Sequence, residues 1–271
     1  LTLRCGRTVE FELSPPSLSY TKAIFVLGVR KCGSTLLNSL THAMARHFGM
    51  PYINVAGGMF QQDLKAAQWM DDPAVMQLFR PGYMHAGFRT AYWHFMESPV
   101  YRAGRKILLV RDPRDALVSQ YFSVLSTHAL PAVNHGTGGA TEQLLVQRAK
   151  AARQSIDEYV LQNARALHLT MQQYVSLLRD EQLTLFRYEE VILDKEPWLR
   201  RMLAIAELPA EQPFIDSVIQ RFDIRPASED PSRFVRKVVP GDHVVKLSRA
   251  TIESLNLVFA DVADAFGYRL Q

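Results

Sequence analysis

Apolar residues along the chain change spacing at several points, and each change marks a junction between a strand and a helix. Residues 23–27, Ala-Ile-Phe-Val-Leu, form a short apolar run of the kind found in a buried strand. Beyond Gly28 the spacing becomes helical, with Leu36, Leu37, Leu40, Ala43, Met44 and Phe48 on one stripe. A second junction follows residues 107–110, where Asp112 can cap a helix and Pro113 suits its first position because its missing N–H has no intrahelical partner there. Residues 191–208 predict a helix with Pro197 near its start. Residues 248–266 predict a terminal helix with Ile252, Leu255, Phe259, Val262 and Phe266 on one face. A strand pair is expected over residues 1–13, set off by Ser14-Pro15-Pro16-Ser17. The Gly-rich stretch 128–140 leads into polar helices over 141–179. Helices around a sheet define an α/β fold.

With 271 residues, 48% of them hydrophobic, the chain can bury about 70–75% of its unfolded surface. One domain covering residues 1–271 is expected, with 128–160 as a mobile lid or an acceptor-side segment. The net charge of +4 is spread without a basic block, which fits a nucleotide or an acidic acceptor and argues against DNA or RNA as partner. No apolar run approaches the ~20 residues of a membrane span. Two cysteines, Cys5 and Cys32, cannot build a disulfide framework, so a cytoplasmic location is expected. The eight histidines show no ligand-like spacing such as H-E-x-x-H, and no metal is expected.

The chemistry concentrates where strand meets helix. A tight loop there aims unpaired N–H groups and the positive end of the helix dipole at one point, where Lys31, Ser34 and Thr35 add donors; such a site holds an anion. The spacing Gly28-x-x-x-x-Gly33 is that of nucleotide-hydrolase phosphate loops, but Ser34 stands where those loops carry lysine, and the cation has moved to Lys31. Arg111 follows the second strand at its carboxyl end, where open α/β sheets bind ligands. Ser119, two helical turns beyond Asp112, lies on a stripe that lets it share an anion with Arg111, unless Arg111 simply pairs with Asp115.

Together these segments resemble the sulfotransferases that use 3′-phosphoadenosine 5′-phosphosulfate (PAPS). Arg30-Lys31-Cys32-Gly33-Ser34-Thr35 is similar to that family's 5′-phosphosulfate loop, and Arg111-Asp112-Pro113-Arg114-Asp115 through Ser119 to its 3′-phosphate motif. Two further landmarks follow in the family's order: a strand ending in Tyr188-Glu189-Glu190, and the segment from Val235-Arg236-Lys237 to Gly241-Asp242. Leu36 replaces a tryptophan common after the loop, and Val238 replaces a glycine after the Arg-Lys pair.

The resemblance implies a single domain with a central, mostly parallel sheet and a P-loop-like strand-loop-helix. It also implies sulfuryl transfer from PAPS to an acceptor hydroxyl or amine without a metal. Lys31 would stabilise charge on the departing phosphate, aided by the loop Arg30–Leu36. Arg111, Ser119, Arg236 and Lys237 would hold the 3′-phosphate, and Tyr188 and Phe222 would lie at the base. The proton acceptor is expected at His85, near the family's catalytic histidine, with His94, Glu97 and Asp63 as alternatives. The competing readings are a P-loop kinase and a nonenzymatic nucleotide-binding protein.

Overall fold

The computed structural model describes residues 1–17, 19–90, 93–127, 129–131, 139–233 and 235–270, and of residues 93 and 94 only the backbone. Five parallel strands form one sheet in the order β2-β3-β1-β4-β5. They are β1 (Ile24–Gly28), β2 (Tyr52–Asn54), β3 (Met84–Phe88), β4 (Arg105–Val110) and β5 (Leu183–Arg187). The first half of the chain contributes helices α1 (Ser34–His47), α2 (Val55–Gln61), α3 (Pro99–Ala103) and α4 (Pro113–Phe122). The second half adds α5 (Ala140–Ala151), α6 (Ile156–Val175), α7 (Tyr188–Val191) and α8 (Lys195–Ile205), then α9 (Gln212–Phe222), α10 (Asp242–Lys246) and α11 (Arg249–Ala265).

β1 and β3 are buried along their whole length and β4 at all but its first residue, because helices cover both faces of the sheet. This is why residues 23–27 and 107–110 are apolar without alternation. The terminal helix forms as its pattern predicts: Ser248 caps α11 by accepting from Thr251 N–H, and Leu255, Phe259 and Val262 are buried. At the start of α4, Asp112 accepts from Arg114 N–H and Pro113 occupies the first turn.

Two expectations are corrected. The strand pair over residues 1–13 is a turn closed by one bridge, Thr2 to Thr8, because Glu10 N–H turns to the Gln62 side chain instead of extending a ladder. The helix expected over 191–208 is the shorter α8, opened by Lys195 and ended at Ile205, and Val191 instead closes the preceding α7. The expected central, mostly parallel sheet is present, and all its pairings are parallel, although two of its strands, β2 and β3, have no counterpart in the sequence reading. Of the segment 128–160, residues 128 and 132–138 lie outside the described residues; from Ala140 it is helical up to Ala151.

Candidate active site

Four strands end at one edge of the sheet, and each delivers a side chain to the same cleft of about 300 Å³. β1 leads into the loop carrying Lys31, β3 into Arg89, β4 into Arg111 and β5 into Tyr188. The chain runs from β1 outward to β2 on one side and from β4 outward to β5 on the other, so its direction reverses between β1 and β4, where a crevice opens above the strand ends.

The β1–α1 loop is held in an unusual backbone. Lys31 has φ 68° and Gly33 φ 86°, and Val29 N–H bonds to Leu109 O of β4 at 3.1 Å. A Cβ on Gly33 would sit 3.1 Å from the Tyr188 ring, so glycine is required here both by conformation and by space. No side chain caps α1 and its first turn has no acidic residue, so its leading N–H groups are open to an anion beside Gly33, Ser34 and Thr35. Burial, and then the charges of Arg89, Arg30 and Arg111, lower the pKa of Lys31 to about 8.

Arg111 is buried, with its guanidinium 4.3 Å from the centre of the Tyr188 ring. Its Nη1 reaches Lys31 O and its Nη2 reaches Asp115 Oδ2, both at 3.5 Å, while Nε is buried without a partner. Long bonds and an orphaned donor fit a guanidinium whose strongest acceptor would be a bound anion. Asp115 is the pivot behind it: it accepts from Gly241 N–H at 2.7 Å, His243 N–H at 2.9 Å and His243 Nδ1 at 2.7 Å. Burial works against its ionisation, but the His243 hydrogen bond and the Arg111 charge prevail and hold its pKa below the usual carboxylate range. The α10 segment is thereby fixed against α4.

Upstream of that junction, Arg236 pairs with Glu229 and Asp242 and lies 4.3 Å over the Phe122 ring, while Lys237 reaches Asp242 at 2.9 Å. Both line the cleft with Ser119. The cationic and hydroxyl side of the lining therefore comes from three distant stretches, 31–35, 111–119 and 236–237.

The lining also includes Leu36 and Ser39 of α1 and the apolar residues Ile192, Phe222, Ile224 and Val238. Eleven expected residues thus share the cleft: Lys31, Gly33, Ser34, Thr35, Leu36, Arg111, Ser119, Tyr188, Phe222, Arg236 and Lys237. Arg30 is exposed and does not line it. Cys32 is fully buried beneath the loop, with its thiol pKa pushed up by burial.

His85 is not brought to this cleft, and its expected role as base is corrected on that ground. It is fully buried in β3, three residues before the strand's carboxyl end, or about 10 Å along the strand. Its ring stacks on Phe25 at 4.6 Å, and Nε2 accepts from Arg80 N–H at 3.1 Å. Burial lowers its pKa to about 3, so it is a neutral core residue at neutral pH. Among the alternatives, Asp63 is fully buried and accepts from Thr141 N–H and Oγ1 at 2.8 and 2.9 Å, and Glu97 is exposed. The His94 side chain lies outside the described residues. Among the described residues, the cleft lining contains no histidine or carboxylate, and no group of three or more His, Cys, Asp or Glu is placed to hold a metal.

Sequence reasoning missed Arg89, Ser39 and Lys195. Recognition of residues 84–88 as a strand would have exposed Arg89 by the strand-end argument that found Arg111. Ser39 is four residues beyond Thr35, on the same helix face. No local signal marks Lys195.

The family model described as "Sulfotransferase domain" matches residues 21–260. No curated protein sequence matches the chain. Among solved structures, mouse sulfotransferase SULT7A1 complexed with PAP (3′-phosphoadenosine 5′-phosphate) is similar, with TM-score 0.61 and 11% identity, covering 90% of this chain and 87% of the other. Retinol dehydratase in a complex with retinol and PAP gives TM-score 0.57 at 12% identity, covering 92% and 83%. Sulfotransferase STF9 from Mycobacterium avium gives 0.52 at 12%, covering 93% and 78%. At such identities the likeness is one of fold.

Proposed function

The chain belongs to the sulfotransferase domain family, and from that premise we propose that it moves a sulfuryl group from PAPS to an acceptor hydroxyl or amine. The observation that carries this reading is the convergence of Lys31 and the open N–H end of α1 with Arg111, Ser119, Arg236 and Lys237 in one cleft. A nucleotide with one anionic group at each end of its ribose matches two cationic clusters better than a triphosphate chain does.

PAPS supplies an activated sulfuryl group whose leaving group is a phosphate. In-line transfer forms a bond from the acceptor oxygen or nitrogen to sulfur as the sulfur–oxygen bond to that phosphate breaks, and the acceptor proton is released. Lys31 and the N–H groups around Gly33 to Thr35 would stabilise the charge growing on the phosphate oxygen. Arg111, Ser119, Arg236 and Lys237 would bind the 3′-phosphate and orient the donor, through charge-assisted hydrogen bonds. Leu36, Tyr188 and Phe222 would hold the base by apolar and ring contact.

The same proposal takes all 271 residues as one domain, supported by the single sheet and by a family match over 21–260. It keeps the cytoplasmic location, supported by two free cysteines; among the described residues no helix is long and apolar enough to cross a membrane. The test is incubation with sulfur-labelled PAPS and a panel of phenols, aliphatic alcohols, glycans and amines. Label on at least one acceptor, with stoichiometric release of PAP, is expected. Label transfer to none, with a protein that binds the nucleotide, would favour a nonenzymatic role.

A further inference from the structure

Beside the apolar lining residues Ile192, Phe222 and Ile224 stands one cation to which the proposed transfer assigns no role. Lys195 opens α8, is 3% exposed, and lines the cleft with Ile192, Phe222 and Ile224. Its ammonium bonds to Ile192 O at 2.6 Å and to Asp223 Oδ1 at 2.5 Å. An ammonium has three N–H donors, so one is left over. Asp223 is itself held by Arg225, whose Nε donates to both of its oxygens at 3.2 and 3.0 Å. The ammonium is therefore anchored by a carboxylate that is fixed on its other side.

Position decides what that third donor meets. Lys195 is bonded between Ile192 and Asp223, and Ile192 and the two neighbours of Asp223, Phe222 and Ile224, all line the cleft, so the ammonium sits among apolar lining side chains. A buried cation beside apolar walls is unsuited to a hydrocarbon and well suited to a flat heterocycle that packs by its faces and accepts hydrogen bonds at its edge.

We propose that Lys195 reads the nucleobase: its remaining N–H donates to a ring nitrogen on the edge of the purine, and so selects a base with an acceptor at that point. This rests on the assignment of the cleft to an adenosine 3′,5′-bisphosphate nucleotide. Leu36, Tyr188 and Phe222 would supply contact with either face of any base, whereas Lys195 supplies the edge-specific term. A purely structural lysine that pins Ile192 to Asp223 would impose no such preference.

The test measures affinities of adenosine 3′,5′-bisphosphate and its 1-deaza, 3-deaza and 7-deaza analogues for the unaltered protein and for Lys195→Met, which keeps the aliphatic stem. One analogue is expected to bind about 10-fold or more weaker than the parent while the other two stay within a few-fold, the loss expected when a charged donor faces a C–H. In Lys195→Met that preference should vanish, with the parent falling to the level of the weak analogue. Equal binding of all three analogues to the unaltered protein overturns the proposal, as does an analogue preference that survives in Lys195→Met. Should Lys195→Met not fold, the analogue series on the unaltered protein still decides. Failure of the underlying site assignment looks different: adenosine 3′,5′-bisphosphate would then bind no better than adenosine 5′-monophosphate.

Discussion

Arg111 approaches the backbone oxygen of Lys31 to 3.5 Å, which joins the residue that follows β4 to the loop between β1 and α1. The sequence separates them by 80 positions, but parallel pairing of β1 with β4 sets their strand ends side by side. The two cationic groups are therefore parts of one rigid edge, fixed from behind by Asp115, His243 and the ladder bond from Val29 to Leu109.

Lys31 gives the site a pH dependence. Its pKa, lowered to about 8 by burial and then by Arg89, Arg30 and Arg111, is that of the free protein; a bound anion raises it again. Protonated lysine is the form that attracts the nucleotide, so PAP affinity should be flat below pH 8 and fall above it by up to about ten-fold per pH unit. Binding titrations at pH 7, 8 and 9 check this, and Lys31→Met should lose the slope. Lys31→Ala should also reduce kcat by more than it weakens PAP binding, because its charge is needed most as the phosphate departs.

Gly33→Ala should damage the loop without touching a charge. The positive φ costs a residue with a Cβ about 1–2 kcal/mol, and the added carbon meets the Tyr188 ring at 3.1 Å. Lower thermal stability together with weaker nucleotide binding is expected. Unchanged values in both measurements would show that the loop relaxes freely.

His85 should matter for acid stability and not for proton transfer. Its folded pKa of about 3 lies below the unfolded value near 6.5, so the unfolded chain takes up the proton first. Its contribution is complete above pH 6.5 and is lost progressively as pH falls toward 3, amounting to about 2 kcal/mol lost at pH 5. Denaturant titrations at pH 7.5 and pH 5 should show this loss in the native protein and a smaller one in His85→Leu. Folded His85→Leu should turn over near the normal rate at neutral pH. A drop of 10²-fold or more, with stability retained, would restore His85 as a base.

The two strand-loop-helix segments that line the cleft were legible because their chemistry is local. Residues 23–37 and 106–119 each carry apolar strand, loop residues and helix start within about 15 positions, so periodicity and capping locate Lys31, Gly33, Arg111 and Ser119 together. Arg236 and Lys237 were accessible through family resemblance alone, since their placement depends on Asp242 and on the Asp115–His243 contact across 128 positions. His85 misled because it lies near where the similar family has its catalytic histidine, and the strand that buries it was not recognised. Once Met84–Phe88 is a strand paired on both sides, its second residue points to the core, and Arg89 occupies the functional end. Lys195 was invisible because its partner, Asp223, lies 28 residues away on the far side of α9 in the chain.

Metal dependence separates sulfuryl transfer from kinase chemistry. Ser34 occupies the place of the phosphate-loop lysine, and Lys31 approaches from the start of the loop, an arrangement suited to one phosphate with a leaving group. Turnover with PAPS should therefore persist in excess EDTA. Loss of activity on chelation, restored by magnesium with ATP as donor, would support the kinase instead.

The assignment of Arg111 to the 3′-phosphate is central to everything above, and calorimetry tests it without knowledge of the acceptor. PAP should bind the unaltered protein more tightly than AMP, which lacks only the 3′-phosphate. Arg111→Ala should remove most of that advantage, about 1.5–3 kcal/mol for a charge-assisted contact, while AMP affinity changes little. Equal affinity of the unaltered protein for PAP and AMP, or an advantage that persists undiminished in folded Arg111→Ala, would contradict it.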